Sequence, residues 1–353
     1  CRKACDGNRK GRMMEEKRKN TMILYRNLRY QQLFDDMCSL LKPKEGEARP
    51  DAYACASQLI DLAVTYGFRG NLWHCFLAFC MANNENAYST SCEIIGPVGG
   101  SLSELARHDF AQVRELFSLD IARLDETENG IWSEMKHYEN ALENSKAFNH
   151  RIRDRIVELS VSLENAESDQ EFQDIVTEFY KEFGVGKFGL NKAFHIIMDD
   201  EAKQVDIEPI TRVEHIELSD LVGYELQKAK LIENTEAFIE GRAANNCLLF
   251  GDSGTGKSSS IKAILNQYYD RGLRMIEVYK HQFRGLSDVL EQIKDRNYKF
   301  IIYMDDLSFE EYELEYKYLK AIIEGGLGIK PQNVLIYATS NRRHLIREKF
   351  SDK

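Results

Sequence analysis

The sequence has no apolar run long enough to cross a bilayer, which needs about 20 residues. Its N-terminus has no basic start, apolar core and small-residue cleavage site of the kind a secretory signal carries. No membrane contact is therefore expected, and the cytoplasm is the default compartment. Eight cysteines stand at 1, 5, 38, 55, 75, 80, 92 and 247, without a secretion signal to suggest a disulfide framework. His74, Cys75 and Cys80 lack both C-x₂-C and H-x₃-H spacing, so a zinc or iron–sulfur reading yields to a plainer one. They read as buried groups on a helix rich in Leu72, Trp73, Phe76, Leu77 and Phe79. Excess positive charge is also lacking: 47 Lys and Arg face 57 Asp and Glu, a net charge of −10. That argues against broad nucleic-acid binding by the whole surface but leaves room for a local basic patch. There is no internal repeat and no sustained heptad.

What is present is ordinary globular chain. Its 353 residues suggest two domains or three small ones, and 43% hydrophobic with 29% charged content suits a soluble protein. Residues 1–20 are basic and poor in apolar groups, which predicts a disordered tail in preference to a nucleic-acid arm. Residues 21–205 read as an all-α N-terminal domain. Helices are expected over Met22–Leu41, from a cap at Asp51 to Tyr66, over Asn71–Met81, and over 102–118, 133–165 and 168–182. Ser101 with Glu104 matches a capping box, and Gly184–Gly189 reads as a flexible turn.

Texture changes near Asp206. Residues 207–216 have β-branched, alternating character, and an amphipathic helix is expected over Glu225–Glu240. Short apolar runs then alternate with helical stretches. Strands are expected at Asn246–Phe250, Arg274–Tyr279, Phe300–Asp305 and Asn333–Thr339, with helices at Lys257–Tyr269, Leu286–Arg296 and Tyr312–Glu324. This spacing predicts a parallel sheet with helices on both faces.

The first of those strands runs into Gly-Asp-Ser-Gly-Thr-Gly-Lys-Ser at 251–258, the G-x-x-x-x-G-K-[ST] phosphate-loop pattern between a strand and a helix. Gly251, Gly254 and Gly256 let the backbone curl so that N–H groups point at an anion. Asp252, Ser253, Thr255 and Ser259 complete the expected cradle. Lys257 would reach the β- and γ-phosphates, and Ser258 would ligate Mg²⁺. Phe300–Met304 is an apolar run ending in Asp305-Asp306, a Walker-B pattern. It would set Asp305 at the metal and Asp306 beside the γ-phosphate to polarise a water. Glu is commoner at the second place, and the shorter Asp predicts slow hydrolysis. Asn341, after the next strand, fits a sensor that bonds the lytic water or the γ-phosphate. The only Asn-Lys pair, Asn191-Lys192, is upstream and lacks the Asp of a guanine reader, so ATP is the expected nucleotide.

This order of motifs resembles the AAA+ ATPases. The helix at 225–239, the loop GDSGTGKSS, the strand FIIYMDDLSFE, the stretch EYKYLKAIIEGGL and NVLIYATSNRRHL together look like a family of uncharacterised bacterial AAA+ ATP-binding proteins. The likeness covers about 206–353, with PVGGSLSELARHDF at 97–110 similar to that family's N-terminal region. It implies an α/β P-loop NTPase core over 206–353, nucleotide binding and ATP hydrolysis, but no known substrate. In that family the doubled acid is usual. Val222-Gly223, about 30 residues before the loop, fits the segment whose backbone cradles adenine. The same likeness implies an arginine finger and a helical lid that would follow Lys353. Arg342, Arg343 and Arg347 stand too early for the finger.

Three functions compete at this point. One is an ATPase that remodels a partner held by the helical domain, as a ring or other homo-oligomer. The second is a non-hydrolytic ATP switch, motivated by Asp306. The third is a helicase-loader-like replication accessory, which the acidic balance disfavours.

Overall fold

In the computed structural model, residues 21–43, 46, 48–125, 130–141, 150–199, 204–210, 213–310, 313–324, 331–343 and 345 are described. The basic tail at 1–20 and Arg347 lie outside them. Among the described residues nine α-helices come first: α1 (Gln31–Leu41), α2 (Ala52–Tyr66), α3 (Leu72–Asn83), α4 (Ala87–Ile95), α5 (Gly100–Phe117), α6 (Ile131–Lys136), α7 (His150–Glu164), α8 (Asp169–Phe183) and α9 (Gly186–Leu190). The strands β1 (Ala193–Asp199) and β2 (Gln204–Pro209) follow, then α10 (Glu225–Ile239) and β3 (Cys247–Phe250). The chain continues through α11 (Lys257–Tyr268), β4 (Leu273–Glu277), α12 (Leu286–Ile293), β5 (Lys299–Met304), α13 (Leu314–Glu324) and β6 (Val334–Ser340).

The helical region packs around α3, which is buried on every side from Leu72 to Ala82. A helix apolar all round belongs in a core. Cys75 and Cys80 are buried there, and burial pushes the Cys75 thiol up to about 11. Caps explain the boundaries. Asp51 accepts from the Tyr53 and Ala54 N–H groups at the start of α2, and Asn71 accepts from Trp73 and His74 at the start of α3.

Local pattern misleads in five places. Residues 21–30 are irregular, not the first turns of a helix. The Asp109 carboxylate accepts from the N–H groups of Ile23, Leu24 and Tyr25 at 2.7–3.0 Å and so replaces helical partners. Helix α5 begins at Gly100, so Ser101 lies inside its first turn, and Glu104 pairs with Arg107 in place of capping. The expected helix at 133–165 is two, α6 and α7. Helix α4 arises from a capping box between Asn86 and Ser89. Finally, Gly184 and Gly186 do not form a flexible turn. They have φ +77° and +67°, and a Cβ on Gly184 would fall 1.3 Å from the Tyr298 hydroxyl. These glycines permit close packing at the head of α9.

The sheet has the order β2-β1-β4-β5-β6-β3. Every neighbour pair is parallel except β1 and β2, which are antiparallel from Phe194 opposite Pro209 to Asp199 opposite Gln204. The expected all-parallel sheet is therefore a mixed one, because the short connection from β1 to β2 leaves no room for a crossover helix. Strands also begin at Ala193, ahead of the change of texture at Asp206. Side chains alternate across the sheet. Leu273, Met275, Ile301, Tyr303, Leu335 and Tyr337 meet α10 and α11, while Ile276, Phe300, Ile302, Met304 and Ile336 meet α12 and α13. Among the described residues no helix is long and apolar enough to cross a membrane.

Candidate functional site: a glycine loop facing two acids

The loop at 251–258 leaves the C-terminal end of β3 and enters α11. Gly254 and Gly256 have φ +77° and +81°, values that side chains with a Cβ rarely adopt. The Gly251 N–H donates to Ser340 O at 3.2 Å, and the Ser260 N–H donates to Gly256 O at 2.8 Å. Among the described residues no backbone N–H between them has a backbone acceptor. A helix N-terminus with unspent N–H groups is an anion-binding arrangement. Lys257 folds over the same loop, donating to Gly251 O (2.9 Å) and Asp252 O (2.7 Å). Thr255 Oγ1 closes the turn onto Asp252 O at 2.8 Å. Ser253 is exposed, and Ser259 lies half-buried in the first turn of α11.

Strand β6 lies between β3 and β5, so its tip reaches both the loop and the acid pair. Asn341 makes the connection: its Oδ1 accepts from Lys257 Nζ at 3.1 Å and its Nδ2 donates to Asp306 Oδ1 at 2.9 Å. A second chain runs beside it. Ser258 Oγ donates to Asp305 Oδ1 at 2.8 Å, and Thr339 Oγ1 also donates to Asp305 Oδ1. Thr339 Oγ1 in turn accepts the Asp306 N–H at 2.9 Å. All five expected polar residues (Lys257, Ser258, Asp305, Asp306 and Asn341) are thus in one network. Thr339, which sequence reading passed over, is its junction; the only signal was a hydroxyl at the strand end, two residues before Asn341.

Partial burial raises the Asp305 carboxyl, but the bonds from Thr339 and Ser258 outweigh it and hold the group below the usual carboxylate range. Asp306 has φ +49°. Asp and Asn tolerate the left-handed region through local hydrogen bonding better than most residues. This explains Asp at a place where Glu was the commoner expectation.

Val222 and Gly223 line the same cleft as the loop, with a volume of about 850 Å³. Gly223 has φ +86° and Val222 is 95% exposed. The cleft is lined by apolar side chains, among them Leu221, Val222, Leu231, Leu248 and Phe250, together with Gly256, Lys257 and Ser260 of the loop and α11. Lys228, also missed from sequence, is held inside by Leu221 O (2.7 Å) and Glu225 (2.8 Å).

Among the described residues no group of three or more His, Cys, Asp or Glu side chains could hold a metal ion. A cation here would draw most of its ligands from a bound anion and water. The donor set suits Mg²⁺ on those terms: it is all oxygen, and a serine hydroxyl that donates to Asp305 keeps lone pairs for the ion.

A comparison with curated proteins finds no match. Residues 191–353 match the model of a family described as "Protein of unknown function (DUF815)", which supports the likeness of this part of the chain to an uncharacterised family.

Proposed function

We propose that this chain is a P-loop NTPase of the AAA+ class that binds Mg²⁺-ATP. The observation that carries the reading is the bond pattern between the glycine loop and the acid pair. Lys257 joins Asp306 through Asn341, and Ser258 joins Asp305 directly. Lys257 would neutralise the β- and γ-phosphates, and the loop N–H groups would cradle them. The base would lie among the apolar side chains of the cleft, against Val222 and Gly223. Mg²⁺ would be held by Ser258, with Asp305 acting through water; the ion supplies charge neutralisation between phosphates. Asp306 would orient the attacking water, and Asn341 would fix Asp306 and sense the γ-phosphate. The placement of β6 between the loop strand and the acid strand supports an ATPase with a sensor strand over a small-molecule kinase, which has no need of one. On this reading hydrolysis drives remodelling of a partner held by the helical region, in a homo-oligomer.

A second reading, a non-hydrolytic switch, is favoured by one observation: the Asp306 carboxylate is already tied to Asn341. One experiment separates the two. ATP with Mg²⁺ should raise the unfolding temperature of the wild type, and Lys257→Ala should lose that rise. An equal rise in the variant contradicts the role of Lys257. Phosphate release by the wild type and not by Asp306→Asn supports hydrolysis. Stabilisation without release in either supports the switch.

A further inference from the structure

The cluster of acids at this end of the sheet extends one strand further than the motifs do. Glu277 is the last residue of β4 and stands in register with Tyr303 of β5. Neighbouring strands lie about 4.8 Å apart, and paired residues point to the same face. That face is known from the core: Leu273 and Met275, four and two residues before Glu277, pack with Tyr303 against α11. Glu277 is therefore on the side of the sheet that carries Ser258. Among the described residues its carboxylate forms no ion pair, and the Tyr279 hydroxyl lies beside it.

Tyr303 gives the second, independent observation. Its side chain is 3% exposed, and its hydroxyl is buried without a hydrogen-bond partner. Ser258 and Asp305 are its nearest polar neighbours and the charge of Glu277 also reaches it, but it makes a well-aligned bond to none. A buried hydroxyl without a partner is costly to keep, so a polar group aimed at this spot would find a ready partner.

We propose that Glu277 and the Tyr303 hydroxyl hold the water shell of the magnesium ion, opposite Asn341 and Asp306. This rests on the Mg²⁺-ATP reading above and names residues that no motif marks. Asp305 divides the site. On its β6 side, Thr339, Asn341 and Asp306 face Lys257 and so the γ-phosphate. On its β4 side, Tyr303 and Glu277 face Ser258, the expected metal ligand. Mg²⁺ keeps several waters when it binds through phosphates, and those waters need acceptors. A carboxylate without a cation partner and an unpaired hydroxyl on the metal side meet that need. Neither group touches the nucleotide, so both are positioning residues.

The test is a Mg²⁺ titration of nucleotide affinity in the full chain, read with a fluorescent ATP analogue and repeated in EDTA. Glu277→Gln should raise the Mg²⁺ concentration at half-effect by about tenfold or more, as loss of an outer-shell partner does. Its affinity in EDTA should match the wild type. Tyr303→Phe, which keeps the ring in the core, should shift the Mg²⁺ midpoint in the same direction by a smaller factor. An unchanged midpoint in both variants overturns the proposal while leaving nucleotide binding intact. Equal loss of affinity with and without Mg²⁺ also overturns it, since that marks a general role in shaping the site. If the wild type does not bind the analogue, or Lys257→Ala binds it equally, the underlying reading falls instead.

Discussion

His74 lies on α3 with 4% of its surface exposed, its Nδ1 3.4 Å from Glu164 Oε2. Burial lowers its pKa, and the nearby carboxylate only partly restores it. The consequence for stability has a definite sign. A base depressed in the fold stays neutral while the unfolded chain, with an ordinary value of 6.5, takes up a proton. Stability is therefore full above pH 6.5 and falls as pH drops from there toward the folded value. His74→Gln should remove that part of the decline. Urea unfolding of both proteins between pH 7.5 and about 5 would measure it, and identical slopes would mean that His74 does not carry the effect. Asp305 acts in a different window. Its carboxyl is held below its ordinary value of 3.8, so its contribution is lost only as pH falls below that.

At the scale of elements, the second half of the chain was more legible than the first. Strands β3 to β6 are short continuous apolar runs, and each lies within two residues of its expected bounds at either end. Both sheet faces are covered there, so apolarity alone locates them. The glycine loop was legible because its conformation needs particular residues at particular places. Strand β1 was missed because Ala193–Asp199 borders helices, and only its pairing with β2 and β4 makes it a strand. Residues 21–30 were misread for the same kind of reason. Leu24, Leu28 and Leu33 have helical spacing, but the groups that satisfy the backbone come from Asp109, far along the chain. Thr339 escaped notice because a hydroxyl at a strand end is common; its importance comes from touching Asp305 and Asp306 together. Periodicity reports what faces a core, and it is silent about partners distant in sequence.

At the scale of the molecule, the candidate site and the helical region occupy opposite ends of the parallel strands. The glycine loop and acid pair lie at the C-terminal ends of β3, β5 and β6. The helical region meets the sheet at Arg296–Tyr298, just before β5, and at Asp270, just before β4. Arg296 is the anchor of this seam. It donates two bonds of 2.9 Å to Glu93, one of 2.8 Å to Glu85 and one of 3.1 Å to Val185 O. Glu93 is 3% exposed and also accepts from the Val185 N–H and the Tyr298 hydroxyl. Burial opposes the charge on Arg296, but the two carboxylates more than offset it. Removing one partner of such a pair leaves the other charged, buried and unpaired, at a cost of about 3–5 kcal/mol. Arg296→Ala should therefore lower the unfolding free energy by that order. Replacing both members, Glu93→Gln with Arg296→Met, should recover much of the loss, because no buried charge is then stranded; Glu85, which loses its partner too, is exposed to water. Urea unfolding of the single and double variants would measure both effects. A single variant within about 0.5 kcal/mol of the wild type, the range of ordinary surface changes, would show that the seam does not hold the helices to the sheet. Any influence of nucleotide on the helical region would then have to travel by some route other than Arg296.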